Sequence, residues 1–160
     1  MVAQGISLFS DDEWISPDNF EVDASLKGHG CYYNGTYYSQ AWSTEELNAS
    51  RRSKRESMPY LELRAIGYAC ATFGEKWRGT RILCLSDCEG AVAALNAKRA
   101  HTPDMQCLLR IIGTLAIRYD FDIRARHVPG LLNIRADPLS CLDLTSFLLQ
   151  VSPGKDLSQV

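Results

Sequence analysis

Asn34-Gly35, set between Cys31-Tyr32-Tyr33 and Thr36-Tyr37-Tyr38, commits this chain to an antiparallel hairpin. A two-residue turn with positive φ at both positions matches the right-handed twist of the strands it joins, and Asn-Gly tolerates that backbone best. A further strand-type run, Phe20 to about Leu26, lies just upstream, and Gly28-His29-Gly30 permits a tight reversal between the two. The β-prone character continues to Trp42. An isolated hairpin is marginal in water, so this three-strand meander needs partners from the rest of the chain.

Those partners follow at alternating periods. Residues 43–57 are polar and charged, show no apolar face, and read as an exposed loop. Pro59 then opens a helix to about Lys76, with Leu61, Ala65, Ala69 and Phe73 at helical spacing and Gly79 closing it. Arg81 to Leu85 is a short buried strand, and a small-residue helix runs from Glu89 to Lys98. Thr102-Pro103-Asp104 caps the next helix, whose apolar positions 105, 108, 109, 112, 115 and 116 fit an amphipathic template. Phe121 to Val128 alternates as a strand, Pro129-Gly130 is a turn, and a last helix extends to about Leu149. The predicted order is β-β-β-α-β-α-α-β-α. It implies an α/β architecture: a mixed five-stranded sheet, three strands as an antiparallel meander and the rest parallel, with helices on both faces.

With 160 residues, 46% apolar and 22% charged, the chain suffices for one globular domain. We place it at 20–150, after a leader or linker over 1–19 that holds the turn signal Ser16-Pro17-Asp18-Asn19, and before a flexible tail over 151–160. No apolar stretch approaches the roughly 20 residues needed to cross a bilayer, and Asp11, Asp12 and Glu13 argue against a signal peptide. An intracellular protein without a membrane partner is the expectation. None of the six cysteines forms a C-x-x-C pair, which favours small buried hydrophobes in a reducing compartment over disulfides or zinc. A net charge of −2 argues against a free-standing, tight nucleic-acid binder. Cations cluster all the same, as Arg51, Arg52, Lys54 and Arg55, which read as a solvated loop, and as arginines dispersed over the second half. His29 and His101 read as surface residues.

Four carboxylates sit where separate elements end or begin: Asp23, Glu62, Asp87 and Asp137. Acidic side chains converging there repel one another unless divalent cations neutralise them, and hard oxygen ligands suit Mg²⁺, with Mn²⁺ as a substitute. The bland alternatives are helix caps, turn formers and acids favoured by helix dipoles.

The element order and four motifs resemble the ribonuclease H family, and more narrowly the ribonuclease H domain of retroelement reverse transcriptases. The stretches are Val22-Asp23-Ala24-Ser25, Leu61-Glu62-Leu63-Arg64-Ala65, Leu85-Ser86-Asp87, and His127-Val128-Pro129-Gly130 through Asn133-Ile134-Arg135-Ala136-Asp137-Pro138-Leu139-Ser140. The last block, with Arg124-Ala125-Arg126 before it, looks most like DIRS-type (tyrosine-recombinase) retrotransposons. The resemblance covers about residues 20–145. It implies hydrolysis of the RNA strand of an RNA/DNA hybrid, with Asp23, Glu62, Asp87 and Asp137 holding two Mg²⁺ ions. Hybrid selectivity would come from 2′-hydroxyls on one strand and backbone shape on the other. His127, ten residues before Asp137, matches a histidine that assists proton transfer or product departure. Ser25 and Asn133 match positions expected to meet substrate. The implied partners are the hybrid and a tethered reverse transcriptase polymerase domain.

Departures from the family pattern stand beside the match. Pro138 disfavours helical geometry at Asp137 and makes Asp137 the expected N-cap, with its carboxylate tied to backbone N–H groups. Cys141 stands where the family usually has an arginine. Only Arg99-Ala100-His101-Thr102 separates the two helices between which cellular relatives carry an extra basic helix. Two other readings stay open. One is a DNA-processing nuclease of the same superfamily, the other a catalytically silent structural or binding module.

Overall fold

The computed structural model describes residues 20–151, so the leader expected over 1–19 and nearly all of the tail lie outside the described residues. Strands β1 (Phe20–Ala24), β2 (Gly28–Tyr33) and β3 (Thr36–Ala41) form the meander. Asn34 and Gly35 both take positive φ, 49° and 88°, which is the turn their residue types specify. Helices α1 (Thr44–Arg52) and α2 (Ser57–Phe73) lead to β4 (Thr80–Ser86). Helices α3 (Glu89–Ala97) and α4 (Pro103–Tyr119) then precede β5 (Phe121–His127), and the short α5 (Ala136–Ser140) and α6 (Leu144–Val151) follow.

The sheet order is β3-β2-β1-β4-β5. The meander pairs antiparallel, whereas β1–β4 and β4–β5 are parallel, with Glu21 opposite Leu85 and Ser86 opposite His127. Helices cover both faces. On one side α2 packs on β1 and β2, with α4 against α2 and α3 against β5; on the other, α5 lies on β1, β2 and β3. The core runs between the sheet and α2 through Val22, Leu61, Ile66, Ala69, Ile82 and Leu109. Trp77, fully buried, closes one end against Phe20 and Phe121, at ring-centroid distances of 5.1 and 5.3 Å.

Four sequence expectations are corrected. Residues 44–52 form α1, not a loop. Ser43 and Glu46 make a reciprocal capping box, and the helix buries Glu46, Ala49 and Ser50. Its arginines stay exposed, and Arg52 pairs with Asp104 at 3.4 Å. Gly28 and Gly30 lie within β2, and the reversal falls earlier, where Ser25 N–H donates to Gly28 O. Glycine is needed at position 30 because a Cβ there would stand 2.2 Å from Leu139 Cβ and 2.7 Å from its carbonyl carbon: α5 rests directly on the strand. His29 is buried, at 1% exposure, stacked at 4.5 Å on both Trp42 and Tyr68. The final helix is interrupted, with Leu142 at positive φ and α6 started by Asp143, which accepts from Ser146 N–H.

Of the cysteines, Cys31, Cys70 and Cys84 are buried, Cys88 and Cys141 are partly buried, and Cys107 is exposed. Among the described residues no helix is long and apolar enough to cross a membrane.

Candidate metal centre

Alternation along β1 sends Phe20, Val22 and Ala24 into the core and leaves Glu21 and Asp23 on the face under α5. The parallel β1–β4 register then places Asp87, just past the end of β4, beside Asp23. Glu62, on the buried side of α2, reaches the same point, and one carboxylate oxygen from each of the three lies within 4.8 Å of the others. Asp23 and Glu62 are buried, at 5% and 1% exposure, while Asp87 faces solvent. Three of the four sequence-predicted acids are thus brought together. Asp137 is outside this tight group, but its charge acts on Asp23.

The cluster is electrostatically uncompensated. Burial, with the neighbouring Asp87 and Asp137 charges adding to it, pushes the Asp23 carboxyl up to about 7, against the opposing donor Ser140. Burial and Asp23 push Glu62 well above the usual carboxylate range, although Ser86 Oγ donates to it at 2.8 Å. Ser140 Oγ lies 2.5 Å from Asp23 Oδ2 and 2.9 Å from Asp137 O. A hydroxyl has one hydrogen, so Ser140 Oγ can donate to the Asp23 carboxylate or to the Asp137 carbonyl, not to both at once. Hard oxygens, crowded and held by neutral donors, fit a divalent cation.

Asp137 is the second residue of α5 and exposed, and no side-chain cap holds that helix start. It is therefore not the N-cap expected from Pro138, which sits inside the helix. Residues Arg135 to Ser140 take this geometry because β1 holds them: Arg135 N–H, Arg135 Nε and Ala136 N–H donate to Glu21 at 2.8, 2.7 and 3.1 Å. Glu21 is the functional-site residue that sequence reasoning missed. Its signal was an acid at an inward strand position two residues before Asp23.

Asn133 is fully buried; its Nδ2 donates to Val22 O at 3.1 Å and to Asp23 Oδ1 at 3.4 Å. Ser25 Oγ donates to Ser140 O at 2.8 Å and accepts from Lys27 N–H at 3.0 Å. His127 is exposed at the rim, where its Nε2 lies 3.2 Å from Asp87 O, a contact that requires the proton on Nε2. The loop beyond it closes on the site, since a Cβ at Gly130 would stand 2.8 Å from Asp87 Oδ2.

No protein-family model matches the sequence, and no curated protein matches it. Solved structures do match the fold. An N-terminal ribonuclease H domain from Mycobacterium tuberculosis, solved as a maltose-binding-protein fusion, gives a TM-score of 0.53 at 17% identity, covering 76% of this chain and 92% of that one. Ribonuclease H1 from the halophilic archaeon Halobacterium salinarum gives 0.52 at 17% identity, covering 79% and 95%. LC11 ribonuclease H1, solved in complex with an RNA/DNA hybrid, gives 0.54 at 14% identity, covering 75% and 91%. Sheet order, helix placement and these likenesses agree: the chain has the ribonuclease H fold.

Proposed function

We propose that this chain is a metal-dependent endonuclease hydrolysing the RNA strand of RNA/DNA hybrids. The observation that carries the reading is the convergence of Asp23, Glu62 and Asp87, from three elements, within 4.8 Å at a solvent-facing edge. Asp23, Glu62, Asp87 and Asp137 would hold Mg²⁺, which when bound supplies an activated water and charge stabilisation at the leaving oxygen. Asp23 and Glu62 form the buried floor, while Asp87 and Asp137 stand where a phosphodiester can approach. Ser86 and Ser140 fix the buried carboxylates by donating to them. His127, anchored by the Asp87 main chain, is the group at the rim able to carry a proton to or from substrate. Ser25 Oγ is engaged with Ser140 O and Asn133 Nδ2 with β1, so we assign both residues to holding the site's frame.

We further read the chain as the ribonuclease H unit of a reverse-transcribing element of DIRS type, tethered to a polymerase domain. The His127–Gly130 and Asn133–Ser140 motifs support this. A tether fits a module of net charge −2, since it raises the effective concentration of substrate.

The test is cleavage of an end-labelled RNA/DNA hybrid in Mg²⁺ and in Mn²⁺. RNA duplex, DNA duplex and single strands run alongside, with Asp87→Asn as the control. Cutting confined to the RNA strand of the hybrid and absent in the variant is the expected result. Equal activity in Asp87→Asn overturns the metal assignment, and cutting of DNA duplex instead moves the chain to DNA processing.

A further inference from the structure

Glu21 is a buried acid, 3% exposed, with no place among the four carboxylates. A charge so placed is costly unless fully partnered, and both its oxygens are used. Oε2 accepts from the main-chain N–H groups of Arg135 and Ala136, and Oε1 accepts from Arg135 Nε. Arg135 in turn lies over the Tyr32 ring at 4.3 Å, so the guanidinium is fixed from the opposite side as well. Glu21 is therefore no spare metal ligand. It grips another part of the chain.

The gripped part is the start of α5. Five residues are too few to hold helical geometry alone, because helix nucleation is unfavourable and short helices depend on tertiary contacts. The helix has no side-chain cap of its own, and Glu21 supplies from β1 the acceptor that a capping residue normally provides. Asp137 is the next residue along. Its side chain faces solvent, so its aim follows from where the helix is held. The other end of α5 is tied to the same strand by Ser140 at Asp23.

We propose that Glu21 is a positioning residue for the fourth carboxylate: clamping the Arg135 and Ala136 N–H groups, it sets α5 so that Asp137 faces the Asp23–Glu62–Asp87 group. This rests on the metal-dependent reading above.

The test reads Mn²⁺ alone, titrated by calorimetry into the wild type, Glu21→Ala, Glu21→Gln, Asp137→Asn and the Glu21→Ala/Asp137→Asn double variant. Thermal unfolding without metal runs in parallel. Glu21→Ala should weaken Mn²⁺ binding roughly tenfold, the scale seen when the support of a ligand is removed. Glu21→Gln should lose less, since its amide oxygen still accepts both main-chain N–H groups. The double variant should bind no more weakly than Asp137→Asn, because Glu21 acts through Asp137. If Glu21→Ala does not fold, Glu21→Asp, which keeps the charge but shortens the reach, takes its place in the comparison.

Unchanged Mn²⁺ affinity in the folded Glu21 variant overturns the proposal while leaving the nuclease reading intact. So does a loss that adds fully to that of Asp137→Asn. Absence of Mn²⁺ binding by folded wild type overturns both.

Discussion

Replacing Asp23 by asparagine should stabilise the metal-free protein at alkaline pH while destroying metal binding. In the fold the Asp23 carboxyl titrates at about 7, against 3.8 for an unperturbed aspartate. Below pH 4 the group is protonated in folded and unfolded chains alike and has no effect. As pH rises from 4 to 7 the unfolded chain ionises freely while the fold resists, so stability is lost across that window and stays lost above it. A separation of about 3 pH units corresponds to about 4 kcal/mol at 1.36 kcal/mol per unit. Asparagine has the same shape and no charge, so its stability should not fall over this range for this reason. Urea unfolding of both proteins in EDTA, at intervals from pH 4 to pH 8.5, measures the difference. The variant should gain on wild type by up to about 4 kcal/mol as pH rises, and millimolar Mg²⁺ should close much of the gap at pH 8 by stabilising wild type alone. Parallel stability curves for the two proteins would refute the argument, because the carboxylate would then not sit in an uncompensated cluster.

Three other expectations follow from the geometry. Glu46 is buried but takes donors from Tyr68, Ser43 and Arg64 that outweigh burial and hold its carboxyl down at about 2. Its contribution is therefore intact above about pH 4.5 and lost as pH falls toward 2, opposite in sign to Asp23. Glu46→Gln should cost about 2 kcal/mol at pH 7 by denaturant titration, and an unchanged midpoint would refute the network. Gly30→Ala should push α5 off β2, costing about 1–3 kcal/mol at pH 5 and weakening Mn²⁺ binding; stability within about 0.5 kcal/mol of wild type would contradict the close approach. His127→Ala should slow hybrid cleavage roughly 10²-fold and alter the pH–rate profile with Mn²⁺ affinity unchanged, whereas an identical profile would make it a bystander.

Much of this fold was legible because its strongest signals are local. Asn34-Gly35, Thr102-Pro103 and the spacing of Leu61, Ala65 and Ala69 each specify geometry within a few residues, and the structure follows all of them. What escaped depends on partners far along the chain. Helix α1 reads as polar because its buried face includes Glu46 and Ser50, and the donors that satisfy Glu46 lie 18 and 22 residues away on α2. His29 looks like a turn residue until Trp42 and Tyr68 enclose it; burial, the larger influence, then lowers its imidazole to about 4. Gly28 and Gly30 carry the same ambiguity, since glycine serves a turn or a close contact equally well, and only the approach of β3 at Gly28 and of α5 at Gly30 decides between them. At the site, the acids were visible as residue types on plausible elements. Glu21 was not, because its partners are 114 and 115 residues distant.

The central place of β1 in the sheet also sets when the site can exist. Asp23 is made early, but Glu62, Asp87 and Ser140 must each be synthesised before the group around it is complete, and the last lies 117 residues later. Contacts of such sequence separation form late and slowly, since the loops they close must be ordered first. A nascent chain that has extruded only the meander and α2 therefore lacks Asp87 and Ser140, and the group around Asp23 is incomplete. The acid cluster acquires its full frame only when the 133–140 segment docks across β1, a strand synthesised more than a hundred residues before it.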